Sequence, residues 1–188
     1  MAKLNEIEVL IRADKWLQAR AAIEAALCDD PEDHWLLTRL GLTFYEMHDY
    51  PAALKCEERA FPLEPNCPLV LWDFAGSLQM LNRHHEAVDL YRRLTRKGPK
   101  RIANGPCGEG IGRARGLVAD CHYRISKSLD AFGRKDEALQ EFETHLDLRG
   151  PGCFSIYALG ELHRPEKNQI NRRPGPNSRN GRSHKTSA

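Results

Sequence analysis

A spacing of 34 residues constrains this chain more than any other feature. Ala19, Ala53 and Ala87 each end a short polar or aromatic lead-in ("DKWLQA", "DYPAA", "RHHEA") and stand 34 apart. Pro31, Pro65 and Pro99 keep the same interval. A fourth copy, "GRKDEA", ends at Ala138, which is 51 residues past Ala87, or one and a half periods. Self-similarity at roughly 20 to 50 residues marks an array of stacked supersecondary units, since one unit cannot bury its own apolar face. Within each copy the apolar residues fall at helical intervals. The recurring proline cannot continue a helix, so the chain must turn there.

The second copy reads "HWLLTRLGLTFYEMHDYPAALKCEERAFPLEPNC" over 34–67 and places Leu40-Gly41, Phe44, Ala53, Ala60 and Pro65 at fixed offsets. The third, 68–101, supplies Ala75, Leu78, Ala87, Tyr91, Leu94 and Pro99; the fourth, 119–152, supplies Ile125-Ser126, Leu129, Ala138 and Phe142. The first, about 1–33, supplies Leu4, Ile7, Ile11, Ala19, Ile23, Ala26 and Pro31. This pattern resembles the tetratricopeptide repeat, a helix–turn–helix unit. The resemblance covers about residues 1–152. It departs from the usual pattern at Leu37, Leu71 and His122, where a tryptophan is common, and at Glu57, where an aromatic is.

The resemblance implies an all-α fold: a right-handed α-solenoid of four helix pairs. A capping helix over 153–164 is expected from "CFSIYALGELHR", whose Ile156 and Leu159-Gly160 keep the repeat phase. Nine helices are predicted, near 3–12, 15–28, 34–47, 51–62, 68–81, 84–97, 114–132, 135–147 and 153–163. Gly41, Ala75 and Ser126 are expected to leave room for Ala53, Ala87 and Ala138 on the facing helix, because large residues would push the pair beyond its usual separation of roughly 8–10 Å.

The surplus half-period is an insert over 102–118 containing "GPCGEGIGRARG". Its glycines fit no phosphate-binding fingerprint and no strand precedes them, so a loop feeding a lengthened helix is expected. Around it, Arg92, Arg93, Arg96, Lys97, Lys100, Arg101, Arg113 and Arg115 stand against Glu109 alone, a local charge of +7. This cluster suits either a solvated face or an anion such as a nucleic-acid backbone. From Arg164 to Ala188 seven basic residues face one acid, leaving +6 on the tail and −4 on the rest of a chain of net charge +2. The tail over 165–188 is poor in large apolar residues and is expected to be disordered.

The longest apolar runs, such as "PLVLW", fall far short of a bilayer span, and the first residues do not read as an export signal, so a cytoplasmic setting is expected. The six cysteines are then expected as free thiols. No C-x-x-C pair exists, and Cys107 lies too far from Cys121-His122 for usual zinc spacing, so no metal or cofactor is expected. No nucleophile–base–acid set is apparent. His84-His85 read as a surface pair and His122 as a packing histidine, and no enzymatic activity or small-molecule substrate is expected.

In the family, certain positions of each first helix face a concave groove. That implies a partner-binding surface of Trp35, Leu42, Tyr45, Leu69, Trp72, Met80, Tyr123 and Lys127. The implied role is a scaffold or adaptor for a peptide or helix of another protein, with a chaperone-like role inside that class. The alternative is a nucleic-acid-associated adaptor using residues 92–115 and the tail. The Lys/Asn/Arg clamp by which some relatives hold acidic chaperone tails is not matched: the corresponding places carry Asn5, Val9, Arg39, Leu69 and Asp73, or Thr38, Leu42, Asp73, Asp120 and Arg124.

Overall fold

The computed structural model describes residues 2–105 and 107–166, so the tail expected to be disordered lies, from residue 167, outside the described residues. Eight α-helices follow one another: α1 (Ala2–Arg12), α2 (Trp16–Leu27), α3 (His34–Glu46), α4 (Tyr50–Leu63), α5 (Pro68–Met80), α6 (His84–Ala103), α7 (Ile111–Ala131) and α8 (Lys135–Leu148). No strand occurs among the described residues. Consecutive helices pack pairwise, and α3 also meets α5, so first helices line up along one side of an α-solenoid.

The 34-residue clock is a packing clock. Ala19, Ala53, Ala87 and Ala138 are all fully buried where two helices cross. The residue four further on is buried in every repeat as well: Ile23, Glu57, Tyr91 and Phe142. Each helix pair is joined by the same turn. One residue takes a left-handed conformation (Asp14, His48, Asn82 and Gly133, with φ of 54, 62, 59 and 75°). The following N–H then bonds five residues back, Lys15 to Leu10, Asp49 to Phe44, Arg83 to Leu78 and Arg134 to Leu129, at 2.9–3.0 Å. Between repeats, Arg59 donates to the carbonyl of Pro31 and Arg93 to that of Pro65, again 34 apart. Helix starts are set locally. Asp33 accepts the N–H groups of Trp35 and Leu36, Asp49 that of Ala52, and Pro51 and Pro68 occupy first-turn positions where no donor is needed.

The small-residue pairing takes two forms. Ser126 donates its hydroxyl to the carbonyl of Ala138 at 2.7 Å, so that pair meets as expected. Gly41 instead makes room for Glu57: a Cβ there would collide with the Glu57 carboxylate.

The structure departs from two expectations. The insert is shorter as a loop than 102–118. Helix α6 runs past Lys97 to Ala103, with a break at Gly98 (φ 73°) before Pro99, and α7 begins at Ile111. The ninth helix is absent: 153–164 is irregular except for one 3-10 turn at Leu159–Glu161. The chain turns at Pro151-Gly152, where Gly152 has φ of 75°, and doubles back across α7, and the bonds it makes there replace the intrahelical ones. Pro165, expected in the tail, is buried.

Candidate functional site

The first helices α3, α5 and α7 enclose a groove with one cavity of about 280 Å³ and a neighbouring one of about 160 Å³. Leu42 and Trp72 line both, Leu69 the larger and Tyr45 the smaller, so these expected groove residues come together. Trp35 is half-buried against the core formed by α1 and α2, with Arg39 over its ring, and lines neither cavity. Met80 is exposed outside both cavities. Lys127 is exposed beside the ring of Tyr123. Tyr123 itself is covered, contrary to its expected role as an open anchor, because residues 153–163 lie over it.

That returning segment forms the groove's far wall. Phe154 donates its N–H to the carbonyl of Gly112 at 3.0 Å, and a Cβ on Gly116 would collide with the backbone of Phe154 and Ser155. Two glycines of the insert sequence therefore form a flat seat on α7. Asp120 holds the segment next: one carboxylate oxygen accepts from the Ser155 hydroxyl at 2.5 Å and the other from the Ile156 N–H at 2.9 Å. Burial pushes the Asp120 carboxyl up against the opposing pull of these bonds. Tyr157 packs edge-on against Tyr123 and beside the Arg124 guanidinium, and the His163 N–H reaches the Tyr123 hydroxyl. Phe154 and Ile156 stay exposed on the groove side and line its main cavity. Sequence reasoning missed this wall because the apolar phase of 153–164 fits a helix equally well.

The groove floor is acidic. Glu57 is fully buried with neither carboxylate oxygen hydrogen-bonded, and burial followed by repulsion from Asp73 raises its pKa well above the usual range. Asp73 is pushed up to about 7, chiefly by desolvation, and one of its oxygens is shielded without a partner. Glu46 is raised as well, by burial and by Asp14. Two cations face these acids. Arg39 pairs with Glu8 at 2.9 Å, and Arg124 donates to Gln79 at 3.1 Å while standing over Trp72.

At one edge the insert loop brings Cys107 to Cys67 and His34. His34 Nε2 lies 3.4 Å from the Cys107 sulfur. Cys67 caps α5, and its thiol is lowered to about 6 by the Cys107 S–H and the N–H groups of Val70 and Leu69. Cys107 moves up, since it keeps the shared proton. No pair of these residues has a motif spacing, so only the folded insert reveals them. All six cysteines are free thiols.

The basic cluster divides. Arg93 and Lys97 donate to the carbonyls of Pro65 and Asn66, and Arg113 pairs with Glu109. Lys97, Lys100, Arg101 and Arg115 line a shallow depression beside the α6 break. Arg92 and Arg96, on α6, are outside it. His122 is half-buried and paired with Glu141 at 2.6 Å, His84 meets the Ser128 hydroxyl, and His85 stacks on Phe132. Among the described residues no helix is long and apolar enough to cross a membrane.

No protein-family model matches the chain. It is similar to human Superkiller complex protein 3, 26% identical over 162 residues, and to Xenopus laevis Tetratricopeptide repeat protein 37, 25% identical over 166 residues. Each match takes in 79% of this chain but only 10% of the relative, so the chain spans about a tenth of the length of the curated relatives it matches. Among solved structures, MamA aligns at a TM-score of 0.58 and 17% identity, covering 76% of this chain and 74% of MamA. YrrB, described as a TPR protein with an unusual peptide-binding site, aligns at 0.62 and 19% identity, covering 79% and 68%. The repeat phase, the helix pairing and these likenesses agree on the fold: the chain is an all-α solenoid of four helix pairs, similar to tetratricopeptide-repeat proteins.

Proposed function

We propose that the groove between α3, α5 and α7 binds an extended peptide segment of another protein, one that presents an apolar side chain next to a basic one. The observation that carries this reading is the chain's own segment 153–158, which lies irregular and non-helical along α7 with its N–H groups held by Gly112 and Asp120. A groove that holds one such backbone has the chemistry to hold another beside it. Leu42, Leu69, Trp72 and Ile156 offer the apolar pocket. Asp73 and Glu57, whose ionisation burial opposes, become ionised partners once an arginine or lysine of the ligand stands next to them.

The test is selection of a displayed random-peptide library on the full chain, followed by affinity measurement of the selected peptides. Enrichment of an aromatic or aliphatic residue flanked by Arg or Lys is expected, with binding weakened by about 2 kcal/mol or more in Trp72→Ala. Lack of enrichment, or equal binding by Trp72→Ala and by Asp73→Asn, would overturn the reading. Binding of RNA that falls steeply with salt and disappears on replacing Lys100 and Arg101 would turn it toward the nucleic-acid alternative.

A further inference from the structure

The geometry points to a metal site at the groove's edge: His34, Cys67 and Cys107 are placed to bind a zinc-type divalent cation. The three side chains come from three separate elements, the first residue of α3, the cap of α5 and the loop between α6 and α7. Their ligand atoms all lie within 4.8 Å of one another. In a tetrahedral site with sulfur at about 2.3 Å and nitrogen at about 2.0 Å from zinc, ligand atoms stand roughly 3.5–3.8 Å apart. The His34–Cys107 separation of 3.4 Å is already there, and the remaining closure falls on the short loop that carries Cys107.

The donor set is selective. Two thiolates and an imidazole suit zinc and disfavour magnesium and calcium, which take oxygen ligands. Both sulfurs bind as thiolates, so the proton that Cys107 keeps is released to solvent, while His34 binds through Nε2. Three protein ligands leave the fourth position to water, the arrangement of an open site. Cys107 and Glu109 also wall the larger groove cavity, so the ion fixes the insert against the starts of α3 and α5. The Gly108 position supports this fold of the loop, since a Cβ there would collide with the Ala103 carbonyl.

The experiment is titration of the freshly reduced full chain with cobalt(II), then displacement by zinc(II). A thiolate-to-cobalt charge-transfer band with tetrahedral visible absorption is expected at a single equivalent, bleached by zinc. Cys67→Ser, Cys107→Ser and His34→Ala should each weaken zinc binding by at least about tenfold, while Cys28→Ser should leave it unchanged. Serine is itself a favoured helix cap, so Cys67→Ser retains the start of α5. Should it nonetheless unfold, as read by circular dichroism, Cys107→Ser and His34→Ala decide, both being half-buried in the folded chain. A spectrum without the charge-transfer band, or one untouched by these substitutions, overturns the proposal. So does a freshly reduced chain that ignores cobalt yet forms a Cys67–Cys107 disulfide with peroxide, which would make the pair a thiol switch.

Discussion

Replacing Glu57 with methionine should stabilise the protein, and the gain should grow with pH. Glu57 occupies the buried position that Ile23, Tyr91 and Phe142 fill in the other repeats, and its carboxyl has no hydrogen-bond partner. Desolvation is the largest cause of its raised pKa, with Asp73 adding to it and Arg39 opposing. The folded chain therefore holds a proton that the unfolded chain, titrating at about 4.3, gives up. Since the native state binds more protons, stability is highest at low pH and falls as pH rises through this window, by about 1.4 kcal/mol per unit for one proton. Methionine matches the length of glutamate and adds no charge. Urea unfolding at several pH values should show Glu57→Met more stable than the parent by about 1–4 kcal/mol at pH 7, with the gap narrowing as pH falls. Asp73, Glu46, Arg39 and Arg124 stay in both proteins and largely cancel in the comparison. Parallel stability curves, or a loss of stability in Glu57→Met, would refute the reasoning by showing an ionised Glu57 satisfied by Arg39.

His48→Gly should stabilise by about 0.5–1 kcal/mol in thermal or urea unfolding, because His48 holds φ at 62° where Gly133 serves the fourth repeat; a clear loss would mean that the His48–Tyr50 hydrogen bond of 2.9 Å outweighs the backbone strain. Gly116→Ala should unseat residues 153–158, since its methyl collides with the Phe154 carbonyl. Chymotrypsin should then cut at Phe154 or Tyr157 faster than in the parent, and an unchanged cleavage rate would show that α7 shifts to accept the methyl.

What the sequence made legible is what a repeat enforces. The alanines at 19, 53, 87 and 138 each meet a neighbouring helix through contacts that recur with the period, so spacing alone reports the packing. Leu42, Leu69 and Trp72 follow for the same reason, lying at repeat positions nine, two and five of the first helices α3 and α5. Phase fails where the chain departs from the lattice. Residues 153–164 carry the repeat's apolar spacing, yet a helix requires its backbone donors to bond internally, and here Gly112 and Asp120 supply better-placed acceptors. Tyr123 shows the consequence: its phase is that of a groove residue, and a segment with no fixed offset covers it. The thiol cluster lies beyond spacing arguments altogether, because His34 and Cys67 belong to the lattice while Cys107 reaches them only through the insert's fold. The glycines at 108, 112 and 116 carry the common signal. Each stands where another part of the chain approaches within the space of a methyl group. In a period of alanines and leucines, glycines inside or beside a helix mark where a non-repeating segment comes to rest, and both the groove wall and the Cys107 loop rest on them.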